Sequence, residues 1–571
     1  MEQRKIFVLG SRIGKGMMKG LLCAAFFTLH SSLFTSCADY NETDNFTAQP
    51  DPSFVEPYKD LNPVKSYINR DVYPNMSLGA TMKVADFNKQ ELAHAAAVTN
   101  FDNVAFGTSL MSGTIVNAKG VMNFLDMSDL LAHVEEIGYD VYGSPLFANA
   151  NQADDWMNTL TAPIEIPVDY VEEKAVNFND MPVGAYPGTV DRGTAQIVRY
   201  DGQNVLKIFN GLLNYGHVRI IEGFPVDSLA KYTVTFWAMA EGKEASYNVV
   251  FSGTKVDGNG TEGKWVLKPG KWTKVVVEAQ SAPGVTEGYL RIENTRSAVL
   301  YIQKVEVGYY PDNHRPQTAQ EKSDTINYAI NAWCDGLMDI NRGRIKSFDL
   351  IDEPLDTKAT LENGMLDLKH STDKIFWQDI LGSENYAPEV SRVARAAFEK
   401  YEGNPEELKF FISETGLEQQ KRFESLKYWI GIWDSKGAKI DGINAKLNLS
   451  YSEDAAKQAA NKASLDKLLD NLASAGKLVR LSNFDIKYQD AAGAPVAADK
   501  ITQAQRQQLA DYYGYVIKAY MNKIPHDKQA GICKGNLADT SDPVGLWSVD
   551  SKKDWVRTAT YKAFCDALSG Q

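Results

Sequence analysis

The chain has 571 residues, 44% hydrophobic and 23% charged, with 60 Lys and Arg against 73 Asp and Glu. That length exceeds one ordinary domain, and the composition is that of a water-soluble globular protein. A formal net charge of −13 speaks against nucleic acid, which is bound through clustered Lys and Arg; it suits a neutral polysaccharide held by aromatic faces and hydrogen bonds.

Arg4, Lys5, Arg12, Lys15 and Lys19 form a basic start, followed by an apolar run from Leu21 to Leu29. The run is shorter than the roughly 20 residues a bilayer takes. Residues 1–36 therefore read as an export signal. Leu33-Phe34-Thr35-Ser36-Cys37 resembles a lipobox, which implies a mature chain lipidated at Cys37; the plainer alternative is a secretory signal with an incidental Cys. Residues 37–72, acidic at Asp39, Glu42 and Asp44 and then rich in proline (Pro50, Pro52, Pro57, Pro63), read as a tether. The arrangement resembles surface lipoproteins of the Bacteroidetes type. It implies an outer-membrane, cell-surface location with a lipid anchor at Cys37 and no spanning helix.

Three textures follow. Residues 73–162 alternate short apolar strands with helical patterns, residues 163–312 are rich in strands and turns, and residues 313–571 return to alternation. The expectation is one α/β domain interrupted by an all-β insert. In the insert, Tyr232 to Ala238, Trp265 to Leu267, Lys274 to Val277 and Val299 to Val307 show period-two alternation between Gly and Pro turns, the pattern of an antiparallel sandwich. Ile326 to Ile340 reads as a helix, Gly343 as its break and Ile345 to Ile351 as a strand. Leu465, Leu468, Leu469 and Leu472 share one helix face, Gly476 supplies a stop, and Leu478 to Leu481 form a buried strand. Cys334, Cys533 and Cys565 fit neither a zinc pattern nor a disulfide framework, so buried free thiols are expected, with no metal and no cofactor.

Several stretches resemble family 10 glycoside hydrolases, whose best-known members are endo-β-1,4-xylanases built on a (β/α)₈ TIM barrel. Leu78-Gly79-Ala80, Phe124 with Asp129, Phe376 to Gly382, Ile440-Asp441-Gly442-Ile443 and Tyr561 to Phe564 match scaffold positions. Phe348-Asp349-Leu350-Ile351-Asp352-Glu353 resembles the family's Trp-Asp-Val-Val-Asn-Glu, which implies the acid/base position for Glu353. The family's nucleophile motif Thr-Glu-x-Asp reads Ser482-Asn483-Phe484-Asp485 here, so an amide stands at the nucleophile position. Asp352 replaces an Asn that would hydrogen-bond the sugar, and Asp485 holds a supporting position. Other polar positions are also altered: Gly107 to Met111 replace Glu-Asn-x-Met-Lys, Gly143 to Asn149 lack two imidazoles and an indole, and Lys446-Leu447-Asn448 replace Gln-Ser-His. Leu546-Trp547-Ser548-Val549-Asp550, with Trp555 beyond, keeps the family's indole platform. The insert resembles jelly-roll carbohydrate-binding modules of the family 4 and 22 type.

A retaining glycosidase needs two carboxyl groups about 5–5.5 Å apart, one to protonate the leaving oxygen and one to attack. An amide is too weak a nucleophile for the second role. Takeover by Asp485, or chemistry assisted by an acetamido group on the substrate, are the remaining routes to turnover. Tyr215, Trp265 and Trp547 are the expected sugar platforms; Trp237 and Trp272 are assigned to the sandwich core, and Trp429 with Trp433 to helix packing. The leading expectation is a lipid-anchored surface protein binding xylan or a related β-glycan without cleaving it. The alternatives are an endo-β-1,4-xylanase with a site rebuilt around Glu353, and a structural subunit of an outer-membrane glycan-import complex.

Overall fold

A computed structural model describes residues 58–209, 216–294 and 299–570. Eight short strands form its centre: β1 (Leu78–Thr81), β2 (Asn103–Ala105), β3 (Asp140–Tyr142), β4 (Ser347–Asp352), β5 (Lys409–Thr415), β6 (Gly442–Lys446), β7 (Leu478–Phe484) and β8 (Gln529–Lys534). All pair in parallel, in the order β3-β2-β1-β8-β7-β6-β5-β4. Gly79 lies opposite Asn103, Phe411 opposite Gly442, Gly442 opposite Leu478, and Leu78 opposite Ile532.

The ring closes between β3 and β4, where Gly143 bridges Phe348 and donates its N–H to the Ser347 carbonyl at 2.8 Å. A Cβ at Gly143 would come within 2.1 Å of the Phe348 ring, so only glycine lets the two segments pass this closely. Closure leaves the sheet with no free edge.

Strands covered on both faces need near-continuous apolar sequence, and Phe410-Phe411-Ile412 is buried throughout. Helices Ala319–Asn341, Tyr386–Lys400, Gln420–Ser435, Ala455–Ser474, Gln503–Lys523 and Ala559–Leu568 cover the outside. Thr318 with Glu321 and Thr502 with Gln505 form capping boxes that fix two of the helix starts. The stripe Leu465, Leu468, Leu469 and Leu472 is buried, and Gly476 turns the chain at φ +68° into β7. Trp429 and Trp433 stack at 6.0 Å within the barrel core, and Cys334, Cys533 and Cys565 are buried free thiols, both as expected.

The insert is a sandwich of two antiparallel sheets. Lys231–Glu241 pairs with Thr273–Ala279 and Val299–Tyr310 in one; Glu287–Asn294 pairs with Gly216–Pro225 and Ala245–Phe251 in the other. Val234, Phe236, Leu206 and Ile302 from the first sheet meet Val218, Val249, Leu290 and Ile292 from the second in a core separate from the barrel's. The insert's two connections meet where Ile164–Glu165 pairs with His314–Arg315.

Three expectations change here. The tether does not extend to residue 72: Val64 and Ile68 are buried in the barrel core, and Arg557 donates to the Tyr58 and Leu61 carbonyls. Trp237 is not in the sandwich core. The alternation that buries Val234, Phe236 and Ala238 leaves Trp237 on the opposite side of the strand, and its half-buried indole faces outward with the Lys304 ammonium 4.2 Å from its centre. Trp272 likewise sits outside the main core, in a small cluster with Tyr200 and Tyr301.

Candidate functional site

The C-terminal ends of the barrel strands open on one face, and the predicted acid/base residue stands there. Glu353 follows β4 in the left-handed region, at φ 46°, with its N–H donating to the Ser413 carbonyl of β5 at 2.8 Å. A non-glycine residue held this way stores backbone strain of about 1–3 kcal/mol, a feature concentrated at functional sites. Its carboxylate does not face solvent alone. Lys446, the last residue of β6, donates to Glu353 Oε1 at 2.6 Å and to Asp352 Oδ1 and Oδ2 at 3.1 and 3.3 Å. Lys369 Nζ lies 3.7 Å from Glu353 Oε2, and Ser413 Oγ donates to Asp352 Oδ1 at 2.5 Å. Burial alone would raise the Glu353 carboxyl, but Lys446, then Lys369 and Arg422, hold it below the ordinary value. Asp352, which ends β4, and Glu353, which follows it, therefore share one ammonium.

At the end of β7, Asn483 also adopts a left-handed backbone, φ 54°. Its amide Nδ2 donates to the Leu447 carbonyl at 3.0 Å. The register against β8 shifts between Leu481 and Phe484, just before the next carboxylate, Asp485. Asp485 accepts from Lys534 Nζ, from the Asn536 N–H at 3.1 Å and from Asn536 Nδ2 at 2.6 Å. Lys534 is fully buried. Asp485 thus neutralises an interior lysine, which is a structural task.

Below the mouth, Asp349 is buried between the Tyr142 hydroxyl at 2.7 Å and Asn444 Nδ2 at 3.0 Å. Burial, reinforced by Asp352, pushes its carboxyl up to about 7. Arg480 packs its guanidinium 3.8 Å from the centre of the Tyr142 ring. Asp349, Asp352, Asn444, Lys446, Arg480, Ser482 and Asn483 line a cavity of about 290 Å³. A larger groove of about 1120 Å³ shares Thr81, Phe106 and Gly107 with it and runs past Asn123, Asn536, Asp539 and Trp555. The groove mixes apolar residues such as Val84, Leu110 and Leu537 with polar and charged ones such as Lys83, Asp86 and Asp126.

The predicted platforms fare unevenly. Trp547 is only 6% exposed, packed between Trp555 and Tyr561, so its expected role as a sugar platform does not fit; Trp555 presents the indole to the groove instead. Trp265 is half-buried, with Nε1 bonded to the Val256 carbonyl at 3.2 Å and its ring covered by Gly258. Tyr215 and Cys37 lie outside the described residues. The residue sequence reasoning passed over is Lys446. Its replacement of a family Gln was visible, but its reach to a partner 93 residues away was not.

Residues 311–565 match the family model for glycosyl hydrolase family 10, a stretch that holds β4 to β8 and includes Glu353, Lys446 and Asn483. Among solved structures, the endo-1,4-beta-xylanase XylE of Penicillium canescens is 12% identical with a TM-score of 0.47, covering 90% of this chain and 98% of that one. An intracellular xylanase of Thermoanaerobacterium saccharolyticum is 10% identical (TM-score 0.48, 89% and 99% covered), and xylanase B of Clostridium stercorarium F9 is 10% identical (TM-score 0.47, 89% and 100% covered). No curated protein matches the chain in sequence.

Proposed function

We propose that this family 10 domain binds xylan or a related β-glycan in the groove at its barrel mouth and does not cleave it. The observation that carries the reading is the β7 end. An amide occupies the nucleophile position, and the nearby Asp485 is engaged by Lys534 and Asn536. With an amide at that position and Asp485 engaged elsewhere, the β7 end offers neither the nucleophile for a glycosyl-enzyme bond nor a base for a water.

The proposal places the protein on the cell surface, anchored through lipid at Cys37 and working beside an outer-membrane glycan importer. The sequence pattern of residues 1–57 supports that placement. The inserted sandwich is proposed as a carbohydrate-binding module of the jelly-roll type, which its two-sheet architecture supports. The competing reading, an endo-1,4-beta-xylanase with a rebuilt site, draws on the strained backbone kept at Glu353.

Calorimetry with xylo-oligosaccharides tests the binding claim. Removing the groove indole, Trp555→Ala, is expected to weaken binding about tenfold, or about 1.4 kcal/mol. Absence of binding to any β-glycan would favour a purely structural subunit.

A further inference from the structure

A retaining site fails if it lacks either a nucleophile or a proton donor, and these are separate requirements. We propose that Lys446 is a positioning residue that fixes Glu353 as a hydrogen-bond acceptor, a block on proton donation independent of the amide at Asn483. The inference rests on the barrel-mouth reading above and adds a second lesion to it.

The geometry is specific. Lys446 is anchored by strand pairing on both sides, opposite Thr415 of β5 and Ser482 of β7, so its ammonium is aimed rather than free to wander. It sits 2.6 Å from Glu353 Oε1, while Lys369 Nζ faces the other oxygen at 3.7 Å. Both carboxylate oxygens therefore look at a cation, and a proton on either one displaces a favourable charge contact. The charges around Glu353 are Lys446 from β6, Lys369 from the segment after Leu366–Leu368, Arg422 from the helix Gln420–Ser435, Asp352 from β4 and Glu414 from β5. Arg422 is itself paired with Glu414 at 2.7 Å, which leaves the two lysines as the direct partners of Glu353 and Asp352.

The ion pair is only partly shielded, with 29% of Lys446 and 31% of Glu353 side chains exposed. Hydrogen bonds between ionised groups are still the stronger kind in such a setting. The ordinary values move the corresponding way, down for Glu353 and up for Lys446, in each case against the effect of burial. An ionised Glu353 accepts hydrogen bonds and Lys446 donates them, so a sugar hydroxyl can be held at this point while the glycosidic oxygen receives no proton.

The test is a titration of Glu353 itself in the full chain. Carboxyl-¹³C glutamate NMR reads it, with the resonance assigned by its loss in Glu353→Gln. The unmodified chain should give a midpoint below the ordinary glutamate value of about 4.3. Lys446→Gln should raise the proton affinity of Glu353 about tenfold or more, Lys446→Arg should restore the native midpoint, and Lys369→Gln should shift it less than Lys446→Gln does. A native midpoint at or above the ordinary value overturns the proposal without any variant having to fold; so does an unchanged midpoint in folded Lys446→Gln. The titration uses no glycan, so its outcome and the outcome of the binding test are independent.

Discussion

At the end of β4 and at the end of β7 the backbone does the same unusual thing: Glu353 and Asn483 both take left-handed φ values, 46° and 54°. Their surroundings then diverge. Glu353 sits among two lysines and a second carboxylate, whereas Asn483 donates to a backbone carbonyl and has handed the local carboxylate, Asp485, to an interior lysine. The barrel wall, packed from both sides, dictates where a strand end points. It does not dictate which functional group is presented there, so the aim can outlast the chemistry.

The largest effect should come from breaking the structural role of the β7 end. Lys534 is fully buried against Asp485. Lys534→Ala removes the only cation bonded to that carboxylate among the described residues, leaving it to Asn536, and is expected to cost about 3–5 kcal/mol in urea unfolding. A loss under 1 kcal/mol would mean that Asp485 is free to serve elsewhere.

A second effect lies under the β4 end and appears as pH dependence. Asp349 is held up to about 7, above its unfolded value, so between about pH 4 and 7 the folded chain keeps a proton the unfolded chain has lost. Stability contributed by this group therefore falls as pH rises through that window, by at most about 1.4 kcal/mol per pH unit. Asp349→Asn should flatten that slope in denaturation curves. Asn444 Oδ1 is buried without a partner, so rotating that amide can satisfy the new one.

The smallest effect distinguishes aim from chemistry. Asn483→Ala loses one hydrogen bond and puts in the left-handed region a residue that tolerates it less well than asparagine, together about 1–2 kcal/mol. Asn483→Gly should recover the backbone part. Equal losses for the two variants in urea unfolding would show that the strand end is not held in this conformation by the wall.

Much of the fold was legible in the sequence because burial on both faces forces a readable pattern. Ile345 to Ile351 and Leu478 to Leu481 read as interior strands, and the leucine stripe of Ala455–Ser474 marks its inner face. Single large side chains were harder to place. Trp237 follows the alternation that buries Phe236 and Ala238 and so faces outward, and a strand-end position for Trp547 could not reveal that Trp555, across the hairpin, covers it. The burial of Val64 and Ile68 was hidden in a proline-bearing stretch too short to show a helical stripe. In the site, Glu353 and Asn483 were found from local motifs. Lys446 was not, because its importance lies in a contact between strands far apart in sequence.

The central claim, a glycan held without turnover, is tested most directly by prolonged incubation of the protein with xylan, analysing released oligosaccharides beside a Glu353→Gln control. The account predicts bound xylan and no release above the control. Sustained release from the native chain that disappears in Glu353→Gln would contradict it.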